Sequence, residues 1–446
     1  MSLKLFSEFV SIQSVATDKK RHGEILKAVS FLKRELELIG FKVVIVKNNI
    51  GSPPLVVATY QIQCDRLITN KCKTIGVYAH YDVQPEDPVL KWKTPPFNLT
   101  LKNKKIYGRG TADDKGHVIQ TIAAAKKLID TNKLKNNLIF IFEGEEEVGS
   151  PNFQELINKA KKEVGKADVF YMLDFGMETS DKPEIFFGLR GLIAFELTLF
   201  TGEKDLHSGV YGNRVYNPIN VLTNLLSKIK DSKTGEIHIP GFYEKIRKPT
   251  KVEMGHLLLK TQSDEALEKE AEVFSTTALD KMHPWLSSKI YPSFDINGIY
   301  GGYAGEGVKT IISYQATAKF SFRLIENQTP DEIEKMAKKF IVNNLPKGVK
   351  FTLKTLGKLE PFYNDVSNQY VKKTAKILKD YFGIDPLFSR TGGSIGAAAI
   401  LAKTFNKPLI LTGFTLADCN IHSPNENYDE KMFYKGIEVL ENIFAQ

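Results

Sequence analysis

Apolar residues recur at helical spacing from His22 to Leu38, Gly40 ends that run, and Lys42-Val-Val-Ile-Val46 follows with strand character. Residues 115–129 repeat the helical period and are preceded by Asp113 and Asp114, whose charges suit the positive end of a helix dipole. Short, continuously apolar runs lie among such helices: Gly76-Val-Tyr-Ala79, Leu138-Ile-Phe-Ile-Phe142, Val169-Phe-Tyr-Met-Leu173 and Pro408-Leu-Ile-Leu-Thr-Gly-Phe414. Uninterrupted apolar strands alternating with helices predict an α/β domain, a mostly parallel sheet flanked by helices. The pattern changes near Gly188-Leu-Arg-Gly191: residues 193–200 and 316–324 alternate apolar with polar, as antiparallel strands with one exposed face do. Asn217-Pro218 and Thr329-Pro330 are helix starts, and 349–356 reads as another strand. This switch predicts an inserted α+β sandwich at 189–360 within a domain formed by 1–188 and 361–446, with the Lys- and Glu-rich stretch 232–284 as a helical elaboration.

A chain of 446 residues exceeds the size at which one core keeps growing, in agreement with two domains. No apolar run approaches the roughly 20 residues that cross a bilayer, and the first residues lack the order of a secretory signal, so a soluble, cytoplasmic protein is expected. Cys64, Cys72 and Cys419 are too few for a disulfide framework and fit a reducing compartment. The net charge of +9 raises the question of nucleic acid. The lysines are scattered along helical segments with glutamates nearby and without interleaved aromatics, so neither a nucleic-acid nor a membrane partner is expected.

The apolar runs end in chemistry. His80 and Asp82 follow the first, Glu143-Gly-Glu-Glu-Glu147 the second, Asp174 the third, and His422 lies a few residues past the fourth. A histidine after a strand, an acidic triplet or an Asp-Asp at a helix start each has an ordinary explanation alone. Gathered at the same ends of several strands, they predict one site. Two close divalent ions need a bridging anion, terminal ligands and a base for the attacking water. His80 and His422 offer nitrogen; Asp113, Glu147 and Asp174 offer oxygen. Asp82 can orient the His80 imidazole, and one carboxylate of the acidic triplet is left to take a proton.

The segments His80-Tyr-Asp-Val-Gln-Pro85, Tyr107-Gly-Arg-Gly-Thr-Ala-Asp-Asp-Lys-Gly116, Glu143-Gly-Glu-Glu-Glu-Val-Gly-Ser150, Leu206-His-Ser-Gly-Val-Tyr-Gly212 and Asn420-Ile-His-Ser-Pro-Asn-Glu426 resemble the co-catalytic di-zinc metallopeptidases. That family includes carnosinase, cytosolic non-specific dipeptidase, succinyl-diaminopimelate desuccinylase, acetylornithine deacetylase and glutamate carboxypeptidase. The resemblance runs from His80 to His422 and is strongest to the dipeptidase branch. It implies a two-metal hydrolase of small substrates with a free carboxylate, a dipeptidase, with N-acyl-amino-acid deacylase or carboxypeptidase action as alternatives. A metal- or nucleic-acid-binding protein on the same scaffold is the non-enzyme alternative. The ions implied are two of zinc, with manganese or cobalt possible in the same ligands.

Residue by residue, the resemblance makes Asp113 the bridging carboxylate, followed by a cis peptide to Asp114. It assigns His80 and Asp174 to one metal and Glu147 and His422 to the other. Glu146 becomes the general base, Asp82 the residue orienting His80, and His207 the donor to the oxyanion. Arg323 grips the substrate carboxylate, for which its planar fork is suited, and Asn213 helps orient the substrate. The turn Arg390-Thr-Gly-Gly-Ser-Ile-Gly396 offers amides at Gly393 and Ser394 as a second carboxylate nest. Glu145 and His117 depart from residues common in relatives. A homodimer through the inserted lid and dimerisation domain is also implied.

Overall fold

The structure, a computed structural model, describes residues 2–63, 72–279 and 282–445. The chain divides into two compact units: Met1–Phe187 with Asn364–Ser389 and Ile395–Gln446, and Gly188–Tyr363 with Arg390–Ser394. Assignment of Arg390–Ser394 to the second unit was not legible from the sequence, because a strand and a helix of the first unit flank this turn.

In the first unit the sheet runs Lys42–Val46, Leu55–Tyr60, Asn137–Glu143, Thr74–His80, Val169–Met172, Leu409–Leu411 and Glu184–Leu189. Its four middle strands are parallel, whereas Lys42–Val46 with Leu55–Tyr60 on one side and Glu184–Leu189 on the other are antiparallel. The sheet is therefore mixed, with its parallel part confined to the centre. Both faces are covered, which is why the central runs read as continuously apolar. Ile75, Val77 and Ala79 join the core beneath helices Ser2–Ser11, His22–Leu38, Lys115–Asp130, Gln369–Phe382 and Glu430–Ala445. Their alternates face the other way, where Tyr78 meets Phe153 edge-on and Phe170 meets Phe405.

The second unit has a fully antiparallel sheet ordered Ser293–Gly301, Gln315–Leu324, Gly191–Phe200, Lys350–Leu359. Strict in-out alternation along Gly191–Phe200 buries Ile193, Phe195, Leu197 and Leu199. Helices Pro218–Ile229 and Pro330–Asn344 complete a separate core with Phe294, Phe320 and Phe322. Both helices begin as expected, with Asn217 Oδ1 accepting from Ile219 N–H and Thr329 Oγ1 from Glu332 N–H, each followed by proline. Within 232–284 the described residues form helices Lys251–Leu258 and Asp264–Ala271.

No helix among the described residues is long and apolar enough to cross a membrane. Cys419 is free and buried, Cys72 is disulfide-bonded, and Cys64 lies outside the described residues. A single bridge is not a framework, but it removes the cysteine content as support for a reducing compartment. Surface lysines are dispersed among acids, as in Lys33 with Glu37 and Lys159 with Glu155.

The central strand has no spare room. A Cβ at Gly76 would lie 2.3 Å from the ring of Phe170 on the neighbouring strand. Gly76→Ala should therefore destabilise the protein by about 1–3 kcal/mol, the usual range for overpacking, measured by denaturant unfolding. Unchanged stability would show that the Phe170 ring yields freely.

Candidate metal centre

Parallel strands in register bring their carboxyl ends to one edge. His80 ends its strand opposite Glu143, and Tyr78 lies opposite Met172, two residues before Asp174. The chain beyond Glu143 turns through Glu146–Val148 and carries Glu146 and Glu147 back over that edge. Asp113 stands just before helix Lys115–Asp130, joined to Asp114 by a cis peptide bond. His422 sits in a loop with a left-handed backbone, φ 58°.

Asp113 is the centre of the arrangement. Its Oδ1 lies 2.9 Å from His80 Nε2 and its Oδ2 lies 2.9 Å from His422 Nε2. Asp174 Oδ2 is 3.8 Å from His80 Nε2, while Glu147 Oε2 is 3.1 Å from His422 Nε2. Two groups with metal-ligand geometry result, His80 with Glu146 and Asp174, and Asp113 with Glu147 and His422, the donor atoms in each lying within 4.8 Å of one another. One carboxylate thus presents a separate oxygen to each imidazole, as an anion shared by two cations does.

The electrostatics fit cations. Burial, then repulsion from Asp113 and Asp114, pushes the Asp174 carboxyl well above the usual range. Burial, together with repulsion from Asp113, Asp82 and Glu147, raises Glu146 to about 8. Burial opposes ionisation of Asp113, yet hydrogen bonds with His422 and His80 outweigh it and hold its carboxyl below the ordinary range. His422, half exposed, is pushed up to about 10 by its contacts with Asp113 and Glu147. Carboxylates crowded out of water in this way lack positive charge, and two nitrogen donors among oxygen donors suit a zinc-like ion.

A family model described as Peptidase family M20/M25/M40 matches residues 76–446. The chain belongs to this metallopeptidase family. It is 30% identical to the Cys-Gly metallodipeptidase dug1 of Schizosaccharomyces pombe, over 97% of this chain and 93% of that protein. It is 29% identical to human Beta-Ala-His dipeptidase, over 84% of this chain and 74% of the relative. The M20 family metallo-carboxypeptidase Sso-CP2 of Sulfolobus solfataricus superposes with a TM-score of 0.88 at 30% identity, covering 100% and 98% of the two chains. The dipeptidase Dug1p of Saccharomyces cerevisiae gives a TM-score of 0.79 at 26% identity, covering 100% and 95%.

Around the two candidate ligand groups lies a layer of carboxylates that hold backbone. Asp82 differs in detail from the role read in the sequence. His80 Nδ1 is 3.0 Å from the Asp82 carbonyl oxygen and 3.4 Å from its carboxylate, while the carboxylate accepts from the Glu146 and Glu147 amides at 3.3 and 3.1 Å. Asp82 therefore holds the Glu146–Glu147 turn as well as the imidazole. Asp114 accepts from His80 N–H at 3.0 Å and lies 2.6 Å from His117 Nδ1, which explains the buried histidine at that departure. Gln84 Nε2 donates to Glu147 Oε2 at 2.7 Å. Glu145, the other departure, is buried and accepts from Asn152 Nδ2.

Glu426 was not singled out as a site residue in the sequence, though it closes the motif that contains His422. Fully buried, it accepts from the amides of Gly110, Ala112 and Asp113 at 2.9, 2.8 and 3.1 Å and from Arg109 Nη1 at 2.7 Å. It ties the loop that carries His422 to the loop that carries Asp113. Only its acidity beside His422 could have signalled this.

The remaining candidates belong to the second unit. Arg323 Nη1 donates to Ser394 Oγ at 2.9 Å, so these two come together. His207 is exposed at the start of a single helical turn, its Nδ1 accepting from Gly209 N–H at 3.0 Å. Asn213 is exposed with φ 63°, and Gly393 is exposed in the turn that carries Ser394.

A pH dependence follows for the metal-free protein. Glu146 rises from an ordinary 4.5 to about 8 and His422 from 6.5 to about 10, so the folded state holds extra protons across neutral pH. Stability contributed by these groups is then lost as pH rises through that window. The melting temperature of chelated protein should fall between pH 6 and pH 9, and zinc or manganese should flatten the fall and release protons on binding. A flat profile without metal would contradict this electrostatic account.

Proposed function

We propose that the chain is a dipeptidase that hydrolyses the peptide bond of small substrates with a free C-terminal carboxylate. The observation that supports this reading most directly is Asp113 presenting one oxygen to His80 and the other to His422, with Asp174 and Glu147 flanking. Two divalent ions are proposed, one held by His80 and Asp174, the other by Glu147 and His422, with Asp113 shared. When bound, they supply Lewis-acid polarisation of the scissile carbonyl and acidification of water; zinc is proposed, with manganese or cobalt compatible with the same donors.

The protein's own part is proton handling and positioning. Glu146, held at its amide by Asp82, takes the proton of the attacking water and returns it to the leaving amine. In the metal-free protein, burial and acidic neighbours raise its proton affinity, and bound cations would lower it toward the range of a working base. His207 is assigned to stabilise the tetrahedral oxyanion, Arg323 and the Gly393–Ser394 turn to bind the substrate carboxylate, and Asn213 to orient the substrate. The second unit is proposed to act as lid and dimerisation domain.

The relatives named as dipeptidases favour this over deacylation of N-acyl amino acids, and the likeness to a metallo-carboxypeptidase keeps cleavage of longer peptides as the second reading. Rates on dipeptides, longer peptides and acyl amino acids, with zinc- and manganese-loaded enzyme, separate these readings. Full activity after exhaustive chelation, or no turnover of any dipeptide, would reject the proposal.

Adjacent glutamates should behave differently. Glu146→Gln should retain metal but lower kcat by about 10²–10⁴-fold, because an amide cannot accept the proton; Glu147→Gln should weaken metal binding as well. A kcat for Glu146→Gln within a few-fold of wild type would remove the base assignment.

If the enzyme is a homodimer in which His207 serves the partner's site, two inactive variants can complement each other. Mixed under subunit exchange, equal amounts of His207→Ala and Glu146→Gln should recover about one quarter of wild-type activity, since each mixed dimer holds one intact composite site. Verified exchange without recovery would place His207 in its own chain's site.

A further inference from the structure

The second unit holds two neighbouring arginines that make no ion pair with a carboxylate among the described residues. Arg323 lies near the end of Gln315–Leu324, where it pairs across the sheet with Leu192 on one side and Ser293 on the other. Arg190 immediately precedes Gly191–Phe200. Its backbone N–H donates to the Gly393 carbonyl at 3.1 Å, its Nε to the Gly392 carbonyl at 3.1 Å, and its Nη1 reaches Ser293 Oγ at 3.5 Å. Position 392 suits this approach: a Cβ there would stand 3.1 Å from Arg190 Nη2. The same turn carries Ser394, the hydrogen-bond partner of Arg323.

Both arginines are partly buried. Burial and the like charge of Arg323 draw Arg190 down to about 10. The acid acting on it, Asp295, is exposed and lies 3.9 Å from Lys230. Two guanidiniums drawn from water beside each other repel, and an anion between them would relieve the repulsion. Arg190 lines a cleft of about 830 Å³ in the second unit with Ser293, Phe294 and Asp295, which makes it reachable from solvent; Arg323 and Ser394 are not part of that lining, and the link to them runs through Ser293 and the 392–394 turn. Planar forks beside a hydroxyl match the oxygens of a carboxylate.

We infer that Arg190 is a second guanidinium of the substrate-carboxylate site, binding the anionic C-terminus of the substrate together with Arg323 and Ser394. This rests on the reading of the enzyme as acting on substrates with a free carboxylate. The competing role for Arg190 is support of the 392–394 turn alone, in which case its effect would pass entirely through Ser394.

The test uses the metal-loaded enzyme and a matched pair of substrates, a dipeptide and the same dipeptide with a C-terminal amide. Wild type should favour the acid, and Arg190→Met should lower the acid-to-amide ratio of kcat/KM tenfold or more, mainly through KM for the acid. Added to Ser394→Ala, Arg190→Met should cost further selectivity; no further loss would reduce Arg190 to a support of the turn and overturn the inference. A preserved ratio in the single variant overturns it too. Should Arg190→Met fail to fold by circular dichroism, Arg190→Lys takes its place alone and combined with Ser394→Ala: further loss of selectivity in the double variant supports the inference, and no further loss, or unchanged selectivity in the single variant, rejects it. Equal turnover of acid and amide by wild type would instead reject the free-carboxylate reading itself, and this inference with it.

Discussion

Mutual repulsion among carboxylates withheld from water is the constraint around which the first unit is organised. Asp82, Asp113, Asp114, Glu146, Glu147 and Asp174 crowd the carboxyl edge of the parallel strands, with His80 and His422 among them. Such crowding is unfavourable unless the charges are neutralised by protons or cations. The raised proton affinities of Glu146 and Asp174 express the first solution, and metal bound at the two candidate groups would supply the second. Affinity for metal and readiness to accept a proton thus have a common origin in the same burial.

That crowding persists because the backbone is held from behind. Glu426 binds consecutive amides leading into Asp113, Asp82 binds the amides of Glu146 and Glu147, and Asp114 binds the amide of His80. Each of these acids spends its oxygens on N–H donors, which satisfies its charge without a metal and leaves the ligand carboxylates free to face the imidazoles. Acids of the same chemical type therefore divide into those that hold the chain and those that face the imidazoles of the candidate metal groups.

In the second unit the same accounting applies to positive charge. Arg247 is matched by Glu253, whereas Arg190 and Arg323 are turned toward a glycine-rich turn and a serine. The exposed surface of that sheet includes the edge strand Ser293–Gly301, with Ile299 and Tyr300 open to solvent. The inserted unit has its own aromatic core and so keeps these groups on a stiff scaffold.

Local pattern was enough for the elements and for much of the chemistry. Apolar runs such as Leu138-Ile-Phe-Ile-Phe142 announced buried strands because both faces of the sheet are covered, and Asn217-Pro218 and Thr329-Pro330 marked helix starts because capping is a local interaction. Ligand candidates were readable because acids and imidazoles directly after such strands are delivered to one edge. The direction of the outer strands was not readable, since an apolar strand has the same period whether parallel or antiparallel; pairing settled that the sheet is mixed. Nor could sequence show which backbone amides Asp82, Asp114 and Glu426 would hold. Glu426 and Asp113 are 313 residues apart, and Arg190 and Gly392 are 202 apart. Composition and periodicity carry only local information, whereas the partner that an acid or a guanidinium finds across the fold is chosen by the tertiary structure.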